Sequence, residues 1–142
     1  MYDAIILSYA GIKSLKMNNQ ISEIFTVEEI IPSAGQGIIS LQCRETDNKI
    51  ISILKKTNHN ETHKRASAER NVLKVLEGDC ETAVGAHAIV QGSKITLEAE
   101  LFSLDGSKRF YEKKSAGIEN AEELGKEVGQ ILKLRSNNSY KK

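Results

Sequence analysis

Between Lys94 and Leu104 the chain alternates. Ile95, Leu97, Ala99 and Leu101 fall on one side of an extended backbone, and Thr96, Glu98 and Glu100 on the other. Such a strand has one wet face and one face that must be covered by another layer. Residues 83–90 and 108–115 have the same strand-like character. The turn sequences Gln91-Gly92-Ser93 and Asp105-Gly106-Ser107 join the three into an antiparallel meander. The cover comes from helices on either side in sequence. Before the sheet, Ala68, Val72, Val75 and Leu76 form an apolar stripe at helical spacing. Asn60 or Thr62 is expected to cap that helix, and Gly78 to stop it in a left-handed conformation. After the sheet, Asn120 opens a helix with Ala121, Leu124, Val128, Ile131 and Leu132 apolar, and the polar tail from Ser136 is expected to fray. Residues from about 58 to 136 are thus predicted to be an α+β domain: helix, three-stranded antiparallel sheet, helix.

The front of the chain is less self-sufficient. Asp3 to Leu7 reads as a short buried strand that feeds a small helix bearing Ile12 and Leu15. Ile39, Leu41 and Cys43 share one face of a second strand over 38–44. Neither strand has an evident partner, so the chain is expected to start inside a domain. Between them stands Pro32-Ser33-Ala34-Gly35-Gln36-Gly37, which holds the only proline and two closely spaced glycines. Gly-Gln-Gly here precedes a strand instead of opening a helix after one, so a nucleotide-binding loop is excluded. A helix is expected over 48–56, broken by Thr57-Asn58-His59-Asn60.

A net charge of +1 leaves no footprint for nucleic acid or an anionic membrane surface, and the absence of Trp removes the best stacking platform for single strands. No apolar run approaches the roughly 20 residues of a membrane span. The start has no basic leader, which argues for the cytoplasm. His59 and His63 are four apart, but no Glu or Cys stands at a complementary spacing, so a polar helix start is the simpler reading and no metal site is assigned. Lys64, Arg65, Glu69 and Arg70 read as a solvated helix face with an Arg65–Glu69 pair. Cys43 reads as a packing residue.

Cys80, the other of the two cysteines, follows the helix end and stands among Glu77, Asp79 and Glu81. The helix dipole and three carboxylates disfavour a thiolate unless cations compensate. A redox or protease-like cysteine needs the opposite surroundings. On chemistry alone, an inert loop thiol and a residue alkylated once to serve as a permanent tether fit equally well.

Leu76-Glu77-Gly78-Asp79-Cys80-Glu81-Thr82-Ala83-Val84-Gly85-Ala86 resembles the cofactor-attachment loop of the porphobilinogen deaminase (hydroxymethylbilane synthase) family. Further blocks resemble that family in its order and spacing: 3–7 with Ala10-Gly11-Ile12-Lys13, residues 32–37, Leu41-Gln42-Cys43-Arg44, Asn58-His59 with Thr62, Ala68-Glu69-Arg70, Asp105-Gly106 and Leu124-Gly125.

The resemblance implies the C-terminal portion of a three-domain transferase of tetrapyrrole (heme) biosynthesis. Residues 1–32 would end the second domain and 33–57 would return to the first, as incomplete α/β pieces of two periplasmic-binding-protein-like domains. Residues 58–142 would form the third domain. The family joins four porphobilinogen molecules head to tail with release of ammonia and frees hydroxymethylbilane. The chain grows on a dipyrromethane cofactor held by a thioether, here to Cys80. The cysteine captures an electrophilic azafulvene only once, which acidic flanks do not prevent. Ser8, Gln36 and Gly37 match positions lining the cofactor and substrate cleft. Ser14 stands where the family usually has an arginine that would clamp pyrrole carboxylates, a charge that Lys13 or Lys16 would have to supply. The family's general acid/base aspartate and most of its anion-binding residues have no counterpart here. The implied partners are therefore porphobilinogen, the growing pyrrole chain and the missing N-terminal half, with the isolated fragment inactive. The competing class is a non-enzymatic α+β binding or assembly module with Cys80 as an ordinary thiol.

Overall fold

The structure, a computed structural model, describes residues 3–77 and 82–141. The chain divides into two compact units, Met1–Ile30 and Ile31–Lys142.

In the first unit a single short helix, α1 (Tyr9–Ser14), is followed by a 3-10 turn at Asn18–Gln20. No described residue before Ile31 is buried. Asp3 to Leu7, expected as a strand, is not one: it makes no ladder, and Ile5, Ile6 and Leu7 are 73%, 72% and 60% exposed. A strand exists only where another backbone accepts its hydrogen bonds, and none does so here. Residues 38–44 depart from expectation for the same reason. They belong to no ladder, Ile39 and Leu41 are exposed, and Cys43 is half-buried instead of packed in a sheet.

The second unit holds the α+β architecture. Its elements are α2 (Asn48–Thr57), α3 (Asn60–Leu76), β1 (Val84–Gln91), β2 (Lys94–Phe102), β3 (Arg109–Gly117) and α4 (Ala121–Ser136). The sheet runs β1-β2-β3, antiparallel throughout, with Ala86 opposite Ala99 and Ala99 opposite Glu112. Ile95, Leu97, Ala99 and Leu101 are fully buried, as their alternation requires, and meet Ala68, Val72 and Leu76 of α3 and Leu124, Val128 and Leu132 of α4. Each large apolar side chain buried there contributes about 1.5–3 kcal/mol. The two helices approach closely at Gly125, where a Cβ would lie 2.2 Å from the Ala68 carbonyl oxygen.

The ends of the helices differ from their expected form. The N-cap of α3 is His59, whose ring nitrogen accepts from the Thr62 amide at 3.3 Å, in place of Asn60 or Thr62. Asn120 stands at the α4 N-cap but uses its amide on Glu119 at 3.2 Å instead of capping the helix. Gly78 lies outside the described residues, and the left-handed residue at the end of α3 is Glu77, at φ 53°.

The C-terminal tail does not fray. Tyr140 is 1% exposed and packs into the core, and the Leu104 amide donates to the Ser139 carbonyl at 2.9 Å. The polar Ser-Asn-Asn-Ser run masks a single aromatic anchor.

Candidate functional site

Cys80 lies outside the described residues, with its neighbours Gly78, Asp79 and Glu81. The structure shows the root from which that segment leaves. The last carbonyls of a helix have no intrahelical donors. Here two side chains from the far end of the chain supply them: the Tyr140 hydroxyl donates to the Leu76 carbonyl at 3.0 Å, and the Lys133 ammonium to that of Val75 at 3.1 Å. Glu77 accepts at one carboxylate oxygen from Lys141 at 2.8 Å and Lys133 at 3.2 Å. The hydrogen bond from Lys141, then that from Lys133, hold the Glu77 carboxyl below the ordinary carboxylate range. One of the three carboxylates expected to oppose a thiolate at Cys80 is therefore matched by two cations. No local spacing in the sequence could have shown this, because the partners are 56 and 64 residues away.

Gln36 and Gly37 stand on a double turn. The Gln36 amide donates to the Ser33 carbonyl and the Ile38 amide to that of Gly35, both at 3.0 Å, and both side-chain positions are exposed. Gly37 has φ 77°, which disfavours any residue with a Cβ, and no atom lies within 4 Å of where that Cβ would be. The backbone is thus open to close approach by a polar ligand.

This turn is held from beneath by Glu69. Expected on a solvated helix face and paired with Arg65, Glu69 is instead 3% exposed. Its two oxygens accept from the Gly35 and Ala88 amides, each at 2.8 Å, while Arg65 Nε donates to the Ala88 carbonyl at 2.6 Å. The Ala86 amide donates to the Pro32 carbonyl at 2.9 Å. The open edge of β1 is thereby closed by a loop carbonyl and two charged side chains, which removes a site for edge-to-edge pairing. The signal was present in the sequence: Glu69 lies three residues before Val72 and seven before Leu76, on the buried stripe.

Ser8 and Ser14 bracket α1. Ser8 is its exposed N-cap residue and makes no side-chain cap bond, while Ser14 donates its hydroxyl to the Ala10 carbonyl at 2.9 Å. Ser14 is thus engaged with its own helix, and it brings no positive charge.

His59 and His63, with Ile38, Leu41, Cys43 and Leu54, line a cavity of about 600 Å³. Among the described residues, no group of three or more His, Cys, Asp or Glu is placed to hold a metal ion. The outer face of the sheet is charged but internally paired: Arg109 with Glu100 at 2.8 Å, Lys113 with Glu98 at 3.3 Å. No helix among the described residues is long and apolar enough to cross a membrane.

Comparison with known proteins gives two family matches in sequence order. Residues 1–52 match the porphobilinogen deaminase, dipyromethane cofactor binding domain, and residues 63–133 match the porphobilinogen deaminase, C-terminal domain. Among curated relatives, the porphobilinogen deaminase of Desulforamulus reducens is 39% identical over 130 residues, covering 92% of this chain and 42% of the relative. That of Coxiella burnetii is 37% identical over 131 residues, covering 92% and 43%. That of Prochlorococcus marinus is 33% identical over 134 residues, covering 94% and 42%. The chain thus spans less than half the length of these relatives.

Proposed function

The chain belongs to the porphobilinogen deaminase family, and on that premise we propose that it is the cofactor-bearing C-terminal part of a transferase that joins four porphobilinogen molecules into hydroxymethylbilane with release of ammonia. The observation that carries this is the succession of the two family matches over residues 1–52 and 63–133. A dipyrromethane group, when bound, supplies the pyrrole terminus on which the product is extended.

In this reading Cys80 is the tether: its thiol adds to an azafulvene, the sulfur bonding the exocyclic methylene carbon as that C=C bond opens and the thiol proton ending on the pyrrole nitrogen, and the C–S bond is then kept. Two features favour the assignment. The residue falls in the segment joining α3 to β1, where a rigid helix and sheet hold both ends. At the root of that segment, Lys141 and Lys133 offset the charge of Glu77, which lessens the penalty on a transient thiolate. The open Gly37 turn fits a ligand that must come close to backbone, and its Gln36 offers an exposed amide. Ser8, exposed and uncommitted as a side-chain cap, is proposed as a cofactor-lining residue. Ser14 is not offered as a carboxylate clamp; the neighbouring Lys13 or Lys16 would have to supply the charge.

Three domains contribute in this proposal: residues 1–32 close the second, 33–57 belong to the first, and 58–142 form the third. The exposed apolar positions Ile5, Ile6, Leu7 and Ile39 support it, since an incomplete sheet leaves such residues uncovered. The proton-transferring carboxylate and most anion-binding cations would come from the remaining length of the family, so the chain by itself is expected to be silent. The proposed compartment is the cytoplasm.

The test is the intact mass of the chain produced together with a polypeptide covering the rest of the family length. An adduct of two pyrrole units mapping to Cys80, and lost in Cys80→Ser, supports the proposal. An unmodified thiol in an assembly that makes hydroxymethylbilane contradicts it.

A further inference from the structure

Glu77 holds an unusual place. It is a non-glycine residue at φ 53° and ψ 35°, where a Cβ crowds the backbone. Such a conformation persists where the surroundings over-determine it, and it gathers at functional positions. What over-determines it is the C-terminus. After α4 the chain reverses through Asn137 and Asn138, both left-handed at φ 46° and 57°, and returns Tyr140 and Lys141 to the end of α3. The reversal is itself secured, with the Lys141 amide donating to the Asn138 carbonyl at 3.0 Å. The phenol is buried and its hydroxyl is spent on one atom, the Leu76 carbonyl, at 3.0 Å. Lys141 and Lys133 converge on one carboxylate oxygen of an exposed residue. Exposed ion pairs of this kind add little to global stability, so their convergence bears on local placement.

We propose that Tyr140, Lys141 and Lys133 form a brace that fixes the end of α3 at Glu77, three residues before Cys80. They are positioning residues, and this role rests on the reading of Cys80 as the attachment point. None of the three lies on α3 or on the attachment segment, and Tyr140 and Lys141 fall beyond the 63–133 family match.

The experiment compares amide hydrogen exchange at Val75, Leu76 and Glu77 with exchange at Leu97 and Val128, which are buried in the sheet and in α4 and report global opening. It uses the full chain and two variants: Tyr140→Phe, which keeps the ring, and Lys141→Ala, at a site that leaves the core intact. Each variant is expected to speed exchange at 75–77 by roughly fivefold, the loss of about one hydrogen bond, with a rise at Leu97 and Val128 no larger than that, so that 75–77 open without the core. Unchanged exchange at 75–77, or exchange there no faster than at Leu97 and Val128, overturns the brace.

The same variants, produced together with the remaining family length, are expected to carry less Cys80 adduct than the unsubstituted chain. Full adduct in a variant whose residues 75–77 have frayed overturns the positioning role. If the unsubstituted chain itself lacks the adduct, the attachment reading fails, and the exchange data alone decide whether the brace exists.

Discussion

Glu69 accepts the amide of Gly35 at 2.8 Å, joining residues 34 positions apart and fixing the turn that presents Gln36 and Gly37. Its other oxygen accepts from Ala88 on the edge of β1. One buried carboxylate thus ties helix, sheet edge and candidate ligand turn together.

Removal of that carboxylate leaves two amides without acceptors. Glu69→Ala is expected to destabilise the chain by about 3 kcal/mol, since each orphaned group costs roughly 1–3 kcal/mol. Glu69→Gln, which keeps one acceptor but turns a second donor toward an N–H, is expected to fall between the two. Urea unfolding midpoints measure the order; equal midpoints for all three proteins would show that water replaces the carboxylate at no cost.

Tyr140 separates packing from hydrogen bonding. Tyr140→Phe removes only the bond to the Leu76 carbonyl and is expected to cost about 1 kcal/mol. Tyr140→Ala also empties a fully buried site and is expected to cost about 3–5 kcal/mol. Chemical denaturation of the two variants distinguishes an anchored tail from a fraying one, for which both changes would be near zero.

The core was legible in the sequence because burial and periodicity coincide there. Ile95, Leu97, Ala99 and Leu101 alternate on β2 and are all buried, and the helical stripes of α3 and α4 cover them. The errors have a shared physical cause. The segments 3–7 and 38–44 carry the apolar residues of strands but find no pairing partner among the described residues. The position of Glu69 on the buried stripe of α3 is legible in the sequence, but its partners Gly35 and Ala88, and the Leu76 carbonyl that Tyr140 meets, are distant in the chain and leave no local pattern. At the site, the residue types around Cys80 were legible, but the cations facing Glu77 were not.

Gly125 tests the helix contact. An Ala in an open helix position would gain about 0.5–1 kcal/mol over Gly. Here the new methyl meets the Ala68 carbonyl oxygen at 2.2 Å, so Gly125→Ala is expected to lose about 1–3 kcal/mol. Thermal melts give the sign, and a raised melting temperature would refute the close approach of α3 and α4.

Acid should act through the β2–β3 turn. Asp105 accepts from the Ser103 hydroxyl at 2.5 Å and the Ser107 amide at 3.1 Å, and these bonds lower its carboxyl to about 2. A depressed folded pKa contributes stability above the unfolded value, near 3.8, and that stability is lost as pH falls through about 2. Asp105→Asn is therefore expected to be less stable than the parent at neutral pH and to converge with it near pH 2. Unfolding midpoints between neutral pH and pH 2 measure this, and a constant difference would show that the carboxyl does not titrate with folding.

Cys80 carries the proposed attachment, and intact-mass analysis of the chain produced with the remaining family length tests it most directly. The predicted result is a covalent dipyrromethane on every active molecule, mapping by peptide analysis to Cys80 and absent in Cys80→Ser. An active assembly in which Cys80 remains a free thiol would contradict it.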